Sequence, residues 1–226
     1  PTPRVVREKY QARAQAQLRK LLTLLPDGVV LEYAGAIEWV KGEESLAVWA
    51  GPSMNIFNRE AEKEIESLGF SGCFLSQELT ISQIRHISKG SDIPLGAYVY
   101  GRTEMMISEY CAINAVMGDK DKKHCPMYCM RGRFALKDGE GRRFPIHTDE
   151  WCHMHIANCH VLDMRPYFDE LKTAGLSALT LDVRGNEGSI LSLCKDACDI
   201  LGGRKEAPGA GRGDDVTRGH FFRGVL

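Results

Sequence analysis

Several familiar motifs are absent from this 226-residue sequence, and each absence removes a class of function. There is no glycine-rich phosphate loop, no GxSxG turn and no HExxH pair. The sequence therefore predicts neither a P-loop nucleoside triphosphatase, nor an α/β-hydrolase, nor a zinc metalloprotease of the HExxH type. The third cysteine of a CxxxCxxC motif is missing, which argues against a radical-SAM enzyme. No signature singles out a nucleophile for a cysteine protease.

Long apolar runs and net charge are also lacking. The longest apolar runs are too short to cross a bilayer, and residues 1–13 contain no apolar signal core. We therefore expect a cytoplasmic protein without a membrane partner, in which disulfides are disfavoured. A net charge of -1 gives no whole-molecule reason to bind nucleic acid, although local basic clusters can do so. Because the chain begins at Pro1 and not at methionine, we interpret it as a trimmed chain or a fragment.

A cysteine-rich stretch, residues 110–159, stands out from the rest. It holds five of the 8 cysteines, in the spacing C-x13-C-x3-C-x22-C-x6-C. Thiolates select zinc or iron-sulfur clusters over hard cations, and basic neighbours stabilise the thiolate form. Without a CxxC pair, the spacing leaves open an iron-sulfur cluster, a zinc site and a set of buried free thiols. The five are Cys111, Cys125, Cys129, Cys152 and Cys159.

The remaining sequence alternates between helical and strand-like segments. Such alternation predicts parallel βα units in a barrel or an open sheet. We count four or five units, whereas a full barrel needs eight. The predicted fold is therefore α/β, a partial (β/α) TIM-like barrel or open sheet with a cysteine-rich insertion after one strand. Helices are predicted over residues 4–25, 59–68, 81–88, 166–174 and 189–201, and strands over 28–40, 46–50, 72–75, 93–100 and 178–183.

Three regions follow from this pattern. Residues 1–104 are expected to form the partial barrel, residues 105–165 the metal-binding insertion, and residues 166–226 the last βα unit with a mobile glycine-rich tail. The missing strands would come from sequence preceding this chain or from a second copy in a homo-oligomer.

Polar residues follow several predicted strands. Because the carboxyl ends of parallel strands share one edge, these side chains are candidates for an active site. The catalytic candidates are Glu78, Arg102, Asp182 and Arg184, and the substrate-binding candidates are Asn55, Asn58, Arg102 and Arg184.

Each candidate also has a structural explanation. Asn55 or Asn58 would cap the helix that starts near Arg59, which is the commoner role of asparagine there. Asp182 and Arg184 flank Val183, so their side chains point the same way from the strand and would form an ion pair.

Seven sequence blocks together resemble the collagenase-like peptidase family U-thirty-two. The resemblance runs from about residue 46 to the C-terminus. It implies a (β/α) barrel with a [4Fe-4S] cluster on Cys111, Cys125, Cys129 and Cys152, leaving Cys159 spare. The blocks are GPSMNIFN, LGFSGCFLSQELT, VYGRTEMMISEYC, HCPMYC, FALKDGEGRRFPIHTDEWC, LDVRG and TRGHFFRG.

The resemblance also implies a function. Members carry the peptidase or collagenase label, yet several look like oxygen-independent hydroxylases that act on transfer RNA, on ribosomal RNA or in ubiquinone synthesis. We therefore expect an iron-sulfur hydroxylase in RNA modification, with Arg102 and Arg184 holding a small carboxylate or a phosphate. The alternatives are a collagenase-like peptidase and a noncatalytic zinc-bound, RNA-binding module that uses basic residues 120–123 and 131–143.

Overall fold

The computed structural model describes residues 2–118, 125–184, 188–208 and 215–223. The helices are α1 (Glu8–Leu22), α2 (Arg59–Ser67), α3 (Ile81–Ser88), α4 (Ala112–Met117), α5 (Phe168–Thr173) and α6 (Ile190–Leu201). The strands are β1 (Gly28–Leu31), β2 (Ala47–Ala50), β3 (Gly72–Phe74), β4 (Leu95–Gly101), β5 (Glu104–Ser108), β6 (Phe134–Lys137), β7 (Arg143–Thr148), β8 (Met154–Ala157), β9 (Val161–Asp163), β10 (Ala178–Leu181) and β11 (Val216–Thr217).

The first sheet is mainly parallel. Strands β1, β2, β3 and β4 lie side by side in that order, and β10 pairs with β4 in the same direction. Strand β9 pairs antiparallel with the end of β4, and β11 follows β9. This confirms the predicted α/β class with a parallel sheet. The described strands do not close into a barrel, so the TIM-like part of the prediction is not confirmed.

The second sheet is antiparallel, in the order β5-β8-β7-β6. The chain enters it directly after β4 and returns to the first sheet as β9. The cysteine-rich stretch therefore leaves from the carboxyl edge of the parallel sheet, where the candidate residues are expected. The limits of the three predicted regions stay a prediction.

The hydrophobic core lies on one face of the parallel sheet. Helix α3 buries three isoleucines at spacings of three residues, the pattern of an amphipathic helix. They pack in one cluster with Leu31 and Leu95 of the strands, which are 0% and 1% exposed. Burial of this stripe is the main stabilising contribution of α3.

Two predicted elements are shorter in the structure. Helix α1 covers residues 8–22 of the predicted 4–25, and Leu25 adopts a left-handed φ of 52° just before Pro26. The predicted strand over residues 28–40 ends at Leu31, and Ala34–Trp39 form a 3-10 helix. The buried Ala36 packs this turn against the core.

Two regions of the prediction fall partly outside the described residues. They are residues 209–214 of the glycine-rich tail and the basic segment at residues 120–123. Among the residues that are described, no helix combines the length and the apolar character needed to cross a membrane.

We expect Thr80→Ala to lower the free energy of unfolding by about 1 kcal/mol. Thr80 Oγ1 accepts the Gln83 N–H at 3.2 Å, and Gln83 Oε1 accepts the Thr80 N–H at 2.8 Å, so the change removes half of a capping box. Urea unfolding followed by circular dichroism measures the loss. Ser82→Ala, at an exposed position of the same helix, is the matched control. Equal stability of the two variants would contradict the capping role.

Candidate functional site

A cleft of about 660 Å³ lies at the carboxyl edge of the parallel sheet. Its walls include Glu32, which follows β1, and Ser53, which follows β2. Glu104, the first residue of β5, closes it from the second sheet. The edge that α/β proteins use for ligands is therefore open here and lined with acidic side chains.

Glu32 is the buried carboxylate of this cleft, with 6% of its surface exposed. The Ser53 hydroxyl and the Ser53 backbone N–H both donate to its Oε2 atom, the latter at 3.2 Å. A Cβ atom on Gly51 would lie 2.5 Å from the same carboxylate, so glycine is required beside it. A buried charge needs such partners, which hold Glu32 in one place.

An aromatic row covers the sheet face opposite the core. Trp49 contacts Phe74 with ring centroids 5.2 Å apart, and Phe74 contacts Tyr98 at 5.5 Å. Burial raises the pKa of Tyr98, and the negative charges of Glu32 and Asp182 raise it further. The phenol of Tyr98 therefore stays protonated and lies among the charges of the carboxyl edge.

A chain of histidines and carboxylates runs across the second sheet. His155 Nδ1 lies 2.5 Å from Glu104 Oε2, and His155 Nε2 lies 3.3 Å from Asp149 Oδ2. Asp149 Oδ2 also lies 2.9 Å from Nδ1 of the buried His153. Each imidazole is thus oriented by a carboxylate.

His147 is the cross-strand neighbour of His155, and their rings stack with centroids 4.7 Å apart and planes 11° from parallel. The pKa values of the two rings shift in opposite directions. The hydrogen bond with Glu104 raises the pKa of His155. Partial desolvation by neighbouring groups and, next, the charge of His155 lower the pKa of His147, although much of the His147 side chain is exposed. Burial alone would raise the pKa of Glu104, but hydrogen bonds with His155 and Arg4 outweigh it and the pKa falls.

Two of the predicted substrate-binding residues have clear local roles. Asn58 is the N-cap of α2, and its Oδ1 accepts the Ala61 N–H at 2.8 Å. The capping interpretation is therefore confirmed for Asn58. Asn55 is exposed and ends the 3-10 turn Pro52–Met54 in a left-handed conformation.

Glu78 and Arg102 lie at the predicted edge but face different surroundings. The side chain of Glu78 is exposed, and its backbone N–H donates to Ser76 Oγ. Arg102 Nη1 donates to the carbonyl oxygens of Asn158, at 3.1 Å, and of Cys159. Arg102 therefore ties the exit of the second sheet to the end of β4.

Asp182 and Arg184 form the expected ion pair after β10. Arg184 Nε donates to Oδ1 at 2.9 Å and Nη2 donates to Oδ2 at 2.6 Å. Burial alone would raise the pKa of Asp182, but these hydrogen bonds outweigh it and the pKa is lowered. The Arg184 side chain is 78% exposed, so its remaining N–H groups are accessible.

Strand register places four cysteines at one end of the second sheet. Cys111 follows β5, and Cys152 lies in the turn between β7 and β8, where Ser108 faces Met154. Cys125 and Cys129 precede β6, which starts at this same end because β6 and β7 are antiparallel. Cys159 follows β8 and lies at the opposite end.

The four cysteines also show local features of ligands. The thiols of Cys111 and Cys125 each accept a backbone N–H at 3.4 Å, from Asn114 and Met127. Cys152 has a left-handed φ of 60°, a conformation that costs energy for a residue with a Cβ atom. These residues fit a thiolate-bound cluster.

The model of peptidase family U32 matches residues 4–195. The chain belongs to peptidase family U32. This confirms the family resemblance, and the match includes six of the seven sequence blocks and all the strands of both sheets except β11.

Other comparisons add little to this assignment. A comparison with curated proteins finds no match. Among solved structures, the spore cortex-lytic enzyme SleL of Bacillus megaterium QM B1551 is 13% identical, with a TM-score of 0.31. The match covers 76% of this chain and 49% of SleL, so this chain spans about half the length of SleL.

The sequence did not predict that Glu32, Glu104, His147 and His155 form one site. Glu104 and His147 lie in two of the resembling blocks, and His155 alternates with His153, but no spacing connects them with one another or with Glu32. The available signals were an acid that directly follows an apolar strand, in VVLE, and histidines at alternate positions, in HMH. Alternation places both HMH histidines on one face of a strand, but it does not reveal which carboxylates they meet.

We expect Arg184→Gln to raise the pKa of Asp182, because it removes both guanidinium hydrogen bonds. A lowered native pKa stabilises the fold above the unfolded-state value of 3.8, and this stability is lost as the pH falls through the native pKa. The parent protein should therefore lose more stability than Arg184→Gln between about pH 5 and pH 2. Urea unfolding over this pH series measures it, with the exposed Arg85→Gln as control. Equal losses in the parent and in Arg184→Gln would contradict the pairing.

Proposed function

We propose that this U32 protein is an iron-sulfur enzyme that hydroxylates a base in RNA without oxygen. The placement of Cys111, Cys125, Cys129 and Cys152 at one end of the second sheet carries this proposal. Four thiolates are the usual ligand set of a [4Fe-4S] cluster. When bound, the cluster would supply one-electron chemistry at that end of the second sheet.

The chain's own residues bind and orient the substrate in this proposal. Arg184, which is exposed and held in position by Asp182, binds a small carboxylate or a phosphate through its free N–H groups. Arg102 positions the second sheet through its contacts with the backbone at Asn158 and Cys159. Glu32 lines the cleft as a hydrogen-bond acceptor, and Tyr98, whose pKa burial raises, keeps its proton and can donate a hydrogen bond near the carboxyl edge.

The basic surface next to the cysteines supports RNA as the partner. Arg131 and Arg133 are exposed and lie between Cys129 and β6, at the cysteine end of the sheet. Arg142 and Arg143 are exposed at the other end of β6 and β7. Phosphate contacts from such residues give affinity that falls as salt rises.

Peptide hydrolysis is the second candidate, and the family itself favours it. The histidines and carboxylates at His155 and Glu104 provide groups able to act as general acid and base. A peptidase of this kind would release peptides without iron, and His155→Ala would abolish the release.

We expect the anaerobically purified protein to contain about four irons and four sulfides per chain and to absorb broadly in the visible. Cys111→Ser and Cys152→Gly should lose both the iron and the colour. Cys159→Ser, at the other end of the sheet, is the matched control and should keep them. Stoichiometric zinc without colour would show that the cysteines bind zinc and not a cluster. The absence of any metal would contradict both metal sites and favour the peptidase.

A comparison of Cys152→Gly with Cys152→Ser distinguishes the loss of a metal ligand from a loss of stability. Glycine adopts a φ of 60° without cost, so this variant should be at least as stable as Cys152→Ser when both lack metal. Thermal unfolding compares the two. A lower stability of Cys152→Gly would show that the conformation of Cys152 is not strained.

A further inference from the structure

We propose that Glu104, His147 and His155 bind a divalent transition-metal ion at the border of the cleft, separate from the four cysteines. Their ligand atoms lie within 4.8 Å of one another, and no other described residues form such a group of three. The inference goes beyond the proposed function, because it rests on nitrogen and oxygen donors and not on thiolates.

The donor set decides the class of ion. Imidazole nitrogens suit zinc, iron, copper and nickel, whereas magnesium and calcium prefer oxygen ligands throughout. Two histidines and one carboxylate leave coordination positions open for water or a substrate. An ion with bonds of about 2.1 Å would bring its ligand atoms to roughly 3.4 Å, which side-chain rotation can supply.

The sheet positions these donors before any ion arrives. His147 and His155 are opposite each other in β7 and β8, and Glu104 reaches His155 from the neighbouring strand β5. Strand pairing therefore fixes all three Cα positions, so little conformational entropy is lost when an ion binds.

Asp149 supplies the outer carboxylate that metal-binding histidines usually have. Its Oδ2 lies 3.3 Å from His155 Nε2, which leaves Nδ1, the nitrogen beside Glu104, to face the ion. Asp149 is itself held by the backbone N–H groups of Trp151 and His153, at 2.9 and 2.8 Å. This arrangement orients the ring of His155 for ligation.

The position of Glu104 gives the ion a role. Glu104 and Arg4 pair and both line the cleft, so a molecule in the cleft would meet the ion and the guanidinium together. A bound ion would act as a Lewis acid on a carbonyl or phosphoryl oxygen, which Arg4 also attracts. The chemical class expected in the cleft is therefore an oxyanion, a carboxylate or a phosphate.

The alternative is an ion-pair network in which a proton occupies the place of the metal. Titration of the anaerobically purified full chain with Co²⁺ separates the two, followed by calorimetry and visible absorption. We expect one equivalent of Co²⁺ to bind, with weak ligand-field bands and without the intense charge-transfer band of cobalt-thiolate bonds. Iron and sulfide are measured before and after, so loss of the cluster is seen independently.

Substitutions of single residues test which side chains bind the Co²⁺ ion. His147→Ala and Glu104→Gln should each weaken Co²⁺ binding by more than tenfold, and Asp149→Asn should weaken it about 10- to 100-fold through His155. His147 is exposed and Glu104→Gln keeps the side-chain size, so both should fold, as thermal unfolding verifies. The matched control is His86→Ala, an exposed histidine on α3, which should bind as the parent does.

Three results would overturn the inference. They are no Co²⁺ binding by the parent, binding that His147→Ala and Glu104→Gln leave unchanged, and a spectrum with cobalt-thiolate charge transfer. None of these results depends on whether the protein hydroxylates RNA.

Discussion

The antiparallel register of β5 and β8 determines where the functional side chains lie. Ser108 faces Met154, so the chain that follows β5 and the turn that precedes β8 start from the same end of the sheet, and Cys111 and Cys152 both lie at that end. The same register brings Glu104 to His155. A slip by one residue would turn His155 to the other face of the sheet and break this contact. Arg102 secures the register, because it binds the carbonyl groups that follow β8.

Charge compensation organises the carboxyl edge of the parallel sheet. Glu32 is held by Ser53, Glu104 by Arg4 and His155, and Asp182 by Arg184. The hydrogen bonds of each carboxylate offset the cost of its burial, and they hold the pKa of Glu104 and of Asp182 below the ordinary value. The edge is thus a set of oriented acid and base pairs, and such preorganised charge is what enzymes of many chemistries use. Membership of U32 is consistent with that use.

The second sheet separates the two kinds of proposed metal ligand. The soft thiols of four cysteines lie at one end, and the imidazoles of His147 and His155 lie on the strands themselves. Ions that differ in softness would therefore be sorted by position as well as by donor type. The aromatic row of Trp49, Phe74 and Tyr98 lies on the open face of the parallel sheet, where a closed barrel would have its interior.

Local patterns in the sequence determined the α/β class, the N-caps at Asn58 and Thr80, and the cysteine-rich stretch, because each depends on neighbours within a few residues. The open form of the parallel sheet was not determined locally, since closure depends on pairing between its first and last strands. The family resemblance already left Cys159 spare, and the tertiary structure placed it at the opposite end of the sheet from the other four cysteines. Only the tertiary structure joined Glu104 to His147 and His155. Those relations depend on long-range strand register, which no local spacing encodes.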